Sequence, residues 1–554
     1  MEETMSKESY QKFDPSWGIN PIPPVPEAPL YKPMQDSAEK FPDKPAVIFL
    51  HHETTYRELD DLSDRFAQTL IEMGMKKGDK VATMLPNCTQ HIIAFYGIAK
   101  AGATAVPFNV MLKADEIKYI LKESEAKVVV GIDLLYPVIQ PVLEELKISN
   151  VILVHVKDFS APTAQLSPLL QADKNIPEGT VDFMDVIAKD KGKPPEPDLD
   201  FDKDLAMLLY TSGTTGFPKG AMITHNNFNA ASVVTNVLGV EEDDVFVMLF
   251  PLFHIAGYAL GLLPAVAFGC TTVPVPKFEP DDMMDVIQRF GVTVLFSPPT
   301  GYIALLNHPD FAKYDLSSIR ITVACGAPVP PPLQKEWQDK VGSYLFNGYG
   351  CTETMGTSPG IIEFENKKKF QGETLGATTS ELKIVDDKGN IVPRGTVGEF
   401  VHRGPGVAKG YWKKPEETKK QFKKDGWWHS GDAGFMDEDG FVYFVERMKD
   451  LIIASGYNIA PVEVENYIYE HPAVEEVGVV GVSDEYRGET VKAYIVLKEN
   501  YKGKVTEDEI IGYCREKMAV YKAPKIVKFM DEIPKTMTGK VLRRVLRDMH
   551  EKGE

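Results

Sequence analysis

Two periods alternate along the first third of the chain. In YRELDDLSDRFAQTLIEMG the apolar positions recur at helical spacing, KVATML is a short apolar run of strand length, and HIIAFYGIAKAG returns to a helix. TAVPFN, DEIKYILKESE and KVVVG repeat the alternation, which resumes with VTVLFSPP, IRITVACG, LQKEWQDKV and SYLFNGYG. Strands separated by helices of this length predict parallel sheets with both faces covered. From about Glu381 the texture changes. ELKIVDDKGNIVP, GEFVHRGPG and GFVYFVERMKD read as short antiparallel strands joined by DDKGN and DEDG turns. After Asp450 a compact unit follows, with helices EVENYIYEH and EDEIIGYCREKM and strands VEEVGVVGV and VKAYIVLK. The fold expected is therefore α/β: a large N-terminal body of stacked α/β sheets with a β-rich subdomain, then a small mobile α+β C-terminal domain. The boundary is placed at 448, giving domains 1–448 and 449–554. KGKPPEPDLDFDKD reads as a surface linker, and no internal sequence repeat is visible.

Between Asp244 and Lys277 no residue carries a fixed charge, a length able to span a bilayer. Pro251, Pro264, Pro274 and Pro276 interrupt it and His254 lies inside it, so VFVMLF and CTTVPV are expected as buried strands and AGYALGLLPAVAFG as a core helix. No transmembrane segment is expected. Composition adds two exclusions. A formal charge of −19 over 554 residues argues against a nucleic-acid partner. Five scattered cysteines without CxxC spacing point to free thiols in a reducing compartment, not to a disulfide framework or a zinc site. The polar N-terminus has no apolar signal core, which gives a cytoplasmic expectation; peripheral membrane docking and a homodimer stay open.

YTSGTTGFPKG (Tyr210–Gly220) resembles a Walker loop, with Lys219 in place but Pro218 where the second glycine belongs and Gly220 where a Ser/Thr belongs. The preceding LAMLLY is a strand and the following GAMIT looks like another, so no helix opens at the lysine. Phosphate donors must come from the loop itself: the hydroxyls of Thr211, Ser212, Thr214 and Thr215, and backbone N–H groups at Gly213 and Gly216. A polar surface turn has the same composition, and hydroxyl, glycine and lysine density tips the reading to phosphate. Glu353 in NGYGCTETMG is a candidate Mg²⁺ ligand and Asp432 in SGD a candidate acceptor for a ribose diol, though each taken alone reads as a solvated loop carboxylate. Gly404, Gly406 and Gly410 imitate a dinucleotide fingerprint, but no helix opens after them. Lys540 lies in PKTMTGKVLRR; Arg543 and Arg544 beside it read as solvated cations.

YTSGTTGFPKG, PLFHIAG, CGAP, NGYGCTE, GYWKKPEET, DGWWHSGD, ERMKDLIIASGYNIAP and PKTMTGK occur in this order. Together they resemble the adenylate-forming superfamily, and within it fatty acyl-CoA synthetases most. The resemblance implies that Thr211 to Gly216 and Lys219 wrap the β- and γ-phosphates of ATP. Gly326, Ala327 and Pro328 with Asn347, Gly348 and Tyr349 would line the adenine, Thr352 would touch the α-phosphate, and Glu353 would hold Mg²⁺. Asp432 and Arg447 would hold the ribose. His254 would sit beside the carboxylate pocket, Lys449 would be the hinge, Gly456 would border the coenzyme A tunnel, and Lys540 would serve adenylation.

The activity so implied is ATP-dependent conversion of a carboxylic acid to its CoA thioester through an acyl-adenylate, releasing AMP and pyrophosphate. A medium- or long-chain fatty acid is the expected substrate, because Gly257, Gly350, Cys351 and Gly356 are small and would leave room beside Met355 and Tyr258. An aryl acid of the 4-coumarate type is the alternative. From other classes, a P-loop ATPase or kinase would release ADP, and a non-catalytic nucleotide-binding protein would show no carboxylate-dependent exchange.

Overall fold

A computed structural model describes residues 24–162, 171–211, 218–232, 239–327, 329–356, 380–438, 442–454, 457–484, 486–536 and 540–553. Two seven-stranded sheets form the body. The first runs Leu345–Gly348, Ile321–Cys325, Val294–Ser297, Val245–Met248, Thr271–Pro274, Pro45–Phe49, His52–Thr55. The second runs Val181–Asp182, Asn150–Val154, Ala126–Ile132, Lys80–Met84, Thr104–Pro107, Leu205–Thr211, Lys219–Thr224. In each, five parallel strands are extended by a hairpin whose second strand turns back antiparallel. The order of the five is the same in both sheets. The first sheet takes its hairpin from the chain's beginning and the second from the middle, so no linear repeat exists in the sequence to betray the likeness.

One continuous core joins the sheets. It takes Val47 and Phe49 from the first, Val81, Val128 and Ile152 from the second, and the helices between them. The helix Thr89–Lys100 is buried on every side, which is why HIIAFYGIA is apolar all round. The helix Tyr56–Glu72 meets it at Gly97, where a Cβ would stand 2.7 Å from Phe66 Cδ1. Its start is fixed by a capping box: Thr55 Oγ1 accepts from Glu58 N, and Glu58 Oε2 accepts from Thr55 N at 2.8 Å. At its far side the buried Lys100 ammonium lies 2.6 Å from both Asp60 and Asp64.

The uncharged stretch is buried strands and helix as expected, with one difference. AGYALGLLPAVAFG is not a single α-helix: Gly257–Leu262 is a π-helical turn, continued by the α-helix Leu263–Ala267. Gly257 begins it because a Cβ there would lie 2.4 Å from the Pro251 carbonyl oxygen. Among the described residues no helix is long and apolar enough to cross a membrane.

Beyond the body, four antiparallel strands form a smaller sheet in the order Glu381–Val385, Gly398–Arg403, Trp428–Met436, Val442–Arg447. A five-stranded sheet begins at Ile452, separated from the previous one only by the turn Met448–Asp450. Its centre is the long pair Val474–Asp484 and Gly488–Leu497, covered by the helices Pro461–Tyr469, Glu507–Lys517 and Arg543–Glu551. The expectation of two solvated arginines at the start of the last helix is half corrected. Arg544 is exposed, but Arg543 is buried: its Nη2 lies 2.8 Å from Glu465 Oε1 and 3.1 Å from Glu446 Oε2. Burial of the Glu465 carboxyl requires such a partner, which a local reading of VLRRVLRD cannot reveal.

Candidate active site

Two neighbouring parallel strands of the first sheet, Ile321–Cys325 and Leu345–Gly348, end side by side with Cys325 opposite Gly348. Carboxyl ends of parallel strands are the usual ligand edge of such sheets. Gly326 and Ala327 continue from one and Asn347, Gly348 and Tyr349 close the other, so these candidates converge. Gly326 takes φ +87°, and a Cβ on Gly348 would stand 2.9 Å from Val323 Cγ1.

Tyr349 reaches from this edge to the smaller sheet. Its phenol donates to Asp432 Oδ2, and its ring lies 5.5 Å from those of Phe400 and Phe444. Asp432 is opposite Arg447 in the strand register and is only 1% exposed. Arg447 Nε lies 2.8 Å from Asp432 Oδ1, and Asp432 N donates to Ser430 Oγ. Burial is the largest influence on Arg447 and opposes its charge, but Asp432 together with Cys351, Tyr349 and Glu353 outweighs it and holds the guanidinium pKa above its usual range. Among the described residues no hydrogen-bond donor is aligned on the buried Asp432 Oδ1, which keeps accepting capacity beside its ion pair with Arg447.

Beyond Tyr349 the chain turns through Thr352–Thr354. Glu353 Oε1 accepts from the Tyr411 phenol at 2.6 Å. Lys219 opens the strand Lys219–Thr224; its ammonium pairs with Glu417 Oε2 at 2.6 Å and lies 5.2 Å from the centre of the Tyr411 ring. Thr211 ends the facing strand, directly opposite Lys219. YTSGTTGFPKG thus lies between two strands, as its flanking patterns require. Ser212, Gly213, Thr214, Thr215 and Gly216, and likewise Pro328 and Gly456, lie outside the described residues.

Lys540 comes from the C-terminal unit. Thr536 holds it in a turn, with Thr536 N donating to Lys540 O at 2.8 Å. Burial, then Arg447, lowers its pKa, and Asp432 and Glu446 act in the opposite direction. Lys540 is thus brought within electrostatic reach of the Asp432–Arg447 pair, across more than ninety residues of sequence. Lys449, in the turn between the sheets, is exposed; partial desolvation lowers its pKa, Asp450 raises it, and Arg447 and Lys540 add to the lowering. Arg547 Nη2 pairs with Asp450 Oδ1 at 2.8 Å, tying the last helix to the same turn.

His254 stacks on Phe250 at 6.2 Å and accepts from Ala256 N through Nδ1. Burial pushes its pKa down to about 4, so the imidazole is neutral at physiological pH. The argument that small residues leave room for an acyl chain is corrected. A Cβ on Gly350 would stand 2.1 Å from Gly356 O, and Gly257 is pressed against Pro251, so backbone contacts use the space. Cys351 Sγ faces Asp432 Oδ2 at 3.5 Å, and Tyr258 packs in the core 4.7 Å from Phe95. Tyr411, Glu417 and Glu446 were not singled out as site residues by the sequence reading. The GYWKKPEET pattern contains the first two, but nothing local shows what they touch.

The AMP-binding enzyme model matches residues 34–412, and the AMP-binding enzyme C-terminal domain model matches 463–540. A long-chain-fatty-acid–CoA ligase of Bacillus subtilis (strain 168) is 37% identical over 541 residues, covering 95% of this chain and 96% of the relative. A feruloyl-CoA synthase of Amycolatopsis sp is 34% identical, over 89% of this chain and 93% of its own. Among solved structures, the anthranilate CoA ligase AuaEII in complex with anthranoyl-AMP superposes with a TM-score of 0.85 at 29% identity, over 95% of this chain and 98% of that one. ATP-bound MatB from Rhodopseudomonas palustris gives 0.82 at 28%, over 94% and 99%. Lys219 and Glu353 lie within the first of the two family matches, and the chain belongs to the AMP-binding enzyme family.

Proposed function

We propose that the chain is an AMP-forming acid–thiol ligase that converts a fatty acid of medium or long chain to its CoA thioester. The observation that carries the reading is the Asp432–Arg447 pair on neighbouring strands of one sheet, with Lys540 from the end of the chain within electrostatic reach, beside the strand edge of another sheet that presents Tyr349 and Glu353. The near-full-length similarity to long-chain-fatty-acid–CoA ligases supports the substrate class.

In the first half-reaction a carboxylate oxygen of the acid attacks the α-phosphorus of ATP. The bond to the β-phosphate breaks, and pyrophosphate leaves with its electron pair. No covalent bond to the protein is needed; the protein aligns the groups and neutralises spreading charge. Asp432 and Tyr349 would hold the nucleotide by its ribose and base, Lys219 and the loop after Thr211 the β- and γ-phosphates, Thr352 the α-phosphate. Lys540 would approach where carboxylate and α-phosphate meet.

The residues fit Mg²⁺, which favours oxygen ligands and binds through one or two carboxylates together with substrate phosphates. One Glu353 oxygen is taken by Tyr411, and among the described residues no protein donor engages the other. No cluster of three or more ligating side chains is found among the described residues, so Glu353 would hold the ion with the phosphates alone. When bound, the ion would neutralise the phosphate oxygens.

In the second half-reaction the CoA sulfur attacks the acyl carbonyl carbon and AMP leaves. Lys540 beside the adenylate would obstruct that approach. Lys449, in the short turn between two sheets, is where the C-terminal unit would rotate to withdraw it.

The test is CoA-dependent AMP release across straight-chain acids of two to eighteen carbons and a set of aryl acids. The reading predicts a maximum among the longer straight chains. A maximum on aryl acids would instead support the reading favoured by the 34% identity to feruloyl-CoA synthase.

A further inference from the structure

The GYWKKPEET segment takes no part in the chemistry above, yet it joins separate parts of the site. Its backbone runs along the strand that carries Lys219: Lys409 N donates to Met222 O, Met222 N to Gly410 O, and Trp412 N to Gly220 O, at 2.8–2.9 Å. Just before it, Ala408 N donates to the Glu353 carbonyl oxygen at 2.9 Å. Tyr411 is therefore clamped between the strand of Lys219 and the turn of Glu353, and its side chain serves both.

The Tyr411 phenol oxygen lies 2.6 Å from Glu353 Oε1 and 2.6 Å from Gln421 Oε1. One phenol proton satisfies one acceptor. The charged carboxylate is the stronger, and the Gln421 amide turned about its axis donates its NH₂ to the phenol oxygen instead. The phenol is therefore the donor to the Glu353 carboxylate. The Phe422 ring meets the Tyr411 ring edge-on at 5.6 Å, while the Lys219 ammonium lies 5.2 Å from its centre.

We infer that Tyr411 is a positioning residue of the first half-reaction: its hydroxyl fixes one oxygen of Glu353 so that the other faces the metal–phosphate site, and its ring supports Lys219. This rests on the AMP-forming reading. Without the hydroxyl the carboxylate is free to rotate, and a divalent cation must order it on binding. Partners that orient a metal-ligating group in this way change metal affinity by ~10- to 100-fold when removed.

Tyr411→Phe removes the hydroxyl and retains the ring beneath Lys219. Mn²⁺ standing in for Mg²⁺ is titrated into the full-length enzyme with a non-hydrolysable ATP analogue, and bound ion is read by electron paramagnetic resonance. We expect about tenfold weaker Mn²⁺ binding in Tyr411→Phe, with analogue affinity in the absence of metal unchanged. Carboxylate-dependent ATP–pyrophosphate exchange falls and recovers at high Mg²⁺, while thioester formation from supplied acyl-adenylate is unchanged. Equal Mn²⁺ affinity in the two proteins overturns the proposal. Failure of the wild-type protein to bind Mn²⁺ with the nucleotide overturns the ligase reading instead. Should Tyr411→Phe not fold, Gln421→Met leaves the phenol proton wholly to Glu353: Mn²⁺ affinity equal to or above wild type supports the proposal, and a loss overturns it.

Discussion

Lys540 illustrates what a single charge does at a site of this kind. Its pKa is lowered chiefly by burial and then by Arg447, so holding its proton there depends on the nearby anions, to which ATP would add. Lys540→Ala is expected to slow acyl-adenylate formation by ~10²–10³-fold, the range found for one preorganised donor, and to spare thioester formation from supplied acyl-adenylate. Single-turnover assays of the two steps check this; equal losses would refute the division of labour. Buried histidines give a second residue-level expectation. Burial pushes His91, His225 and His254 down to about 4 and His402 to about 3. The unfolded chain titrates these near ~6.5, so it binds protons that the folded chain refuses. Their stabilisation is present above that pH and is lost as pH falls toward 4. Glu465 works the other way: burial raises its carboxyl from the ordinary 4.5 to about 7, so its own contribution falls as pH rises through that window. The histidines outnumber it. Urea midpoints should therefore decline from pH 7 to pH 4.5, and His402→Gln should flatten that slope by about one proton.

At the scale of elements, Arg543 is the clearest case of local sequence failing to reveal structure. Its charge reads as solvated because the strand bearing Glu446 and the helix bearing Glu465 are remote in sequence. Arg543→Met should cost ~3–5 kcal/mol, because Glu465 is left buried beside Glu446 with no cation between them. Thermal unfolding checks it, and the double variant Arg543→Met/Glu465→Leu should recover part of the loss. The π-helical turn at Gly257 was equally hidden: over six residues a small change in helical period leaves the apolar pattern unaltered. By contrast the strand–loop–strand setting of Lys219 was legible, because LAMLLY and GAMIT are both apolar runs and no helix start intervenes. Glu353 and Asp432 were legible only through their motifs. Each alone resembles a solvated carboxylate, and the Tyr349 phenol and Arg447 that set Asp432 apart come from other strands.

For the whole molecule, the two seven-stranded sheets share one strand order, yet their sequences give no repeat. The likeness lies in topology and in which segment supplies the hairpin. The proposed rotation would pass through the turn Met448–Asp450, which is held by Arg547 on Asp450 and flanked by the Arg543–Glu446 contact. Lys449→Pro fixes φ where a rotation is proposed, and should slow the thioester step well beyond adenylation. Unaltered turnover in both steps would place the hinge elsewhere. The most direct measurement of the central claim is radiolabel exchange between pyrophosphate and ATP with a long-chain fatty acid and without CoA. The account predicts carboxylate-dependent exchange, with AMP and never ADP appearing once CoA is added. Release of ADP, or exchange indifferent to the carboxylic acid, would contradict it.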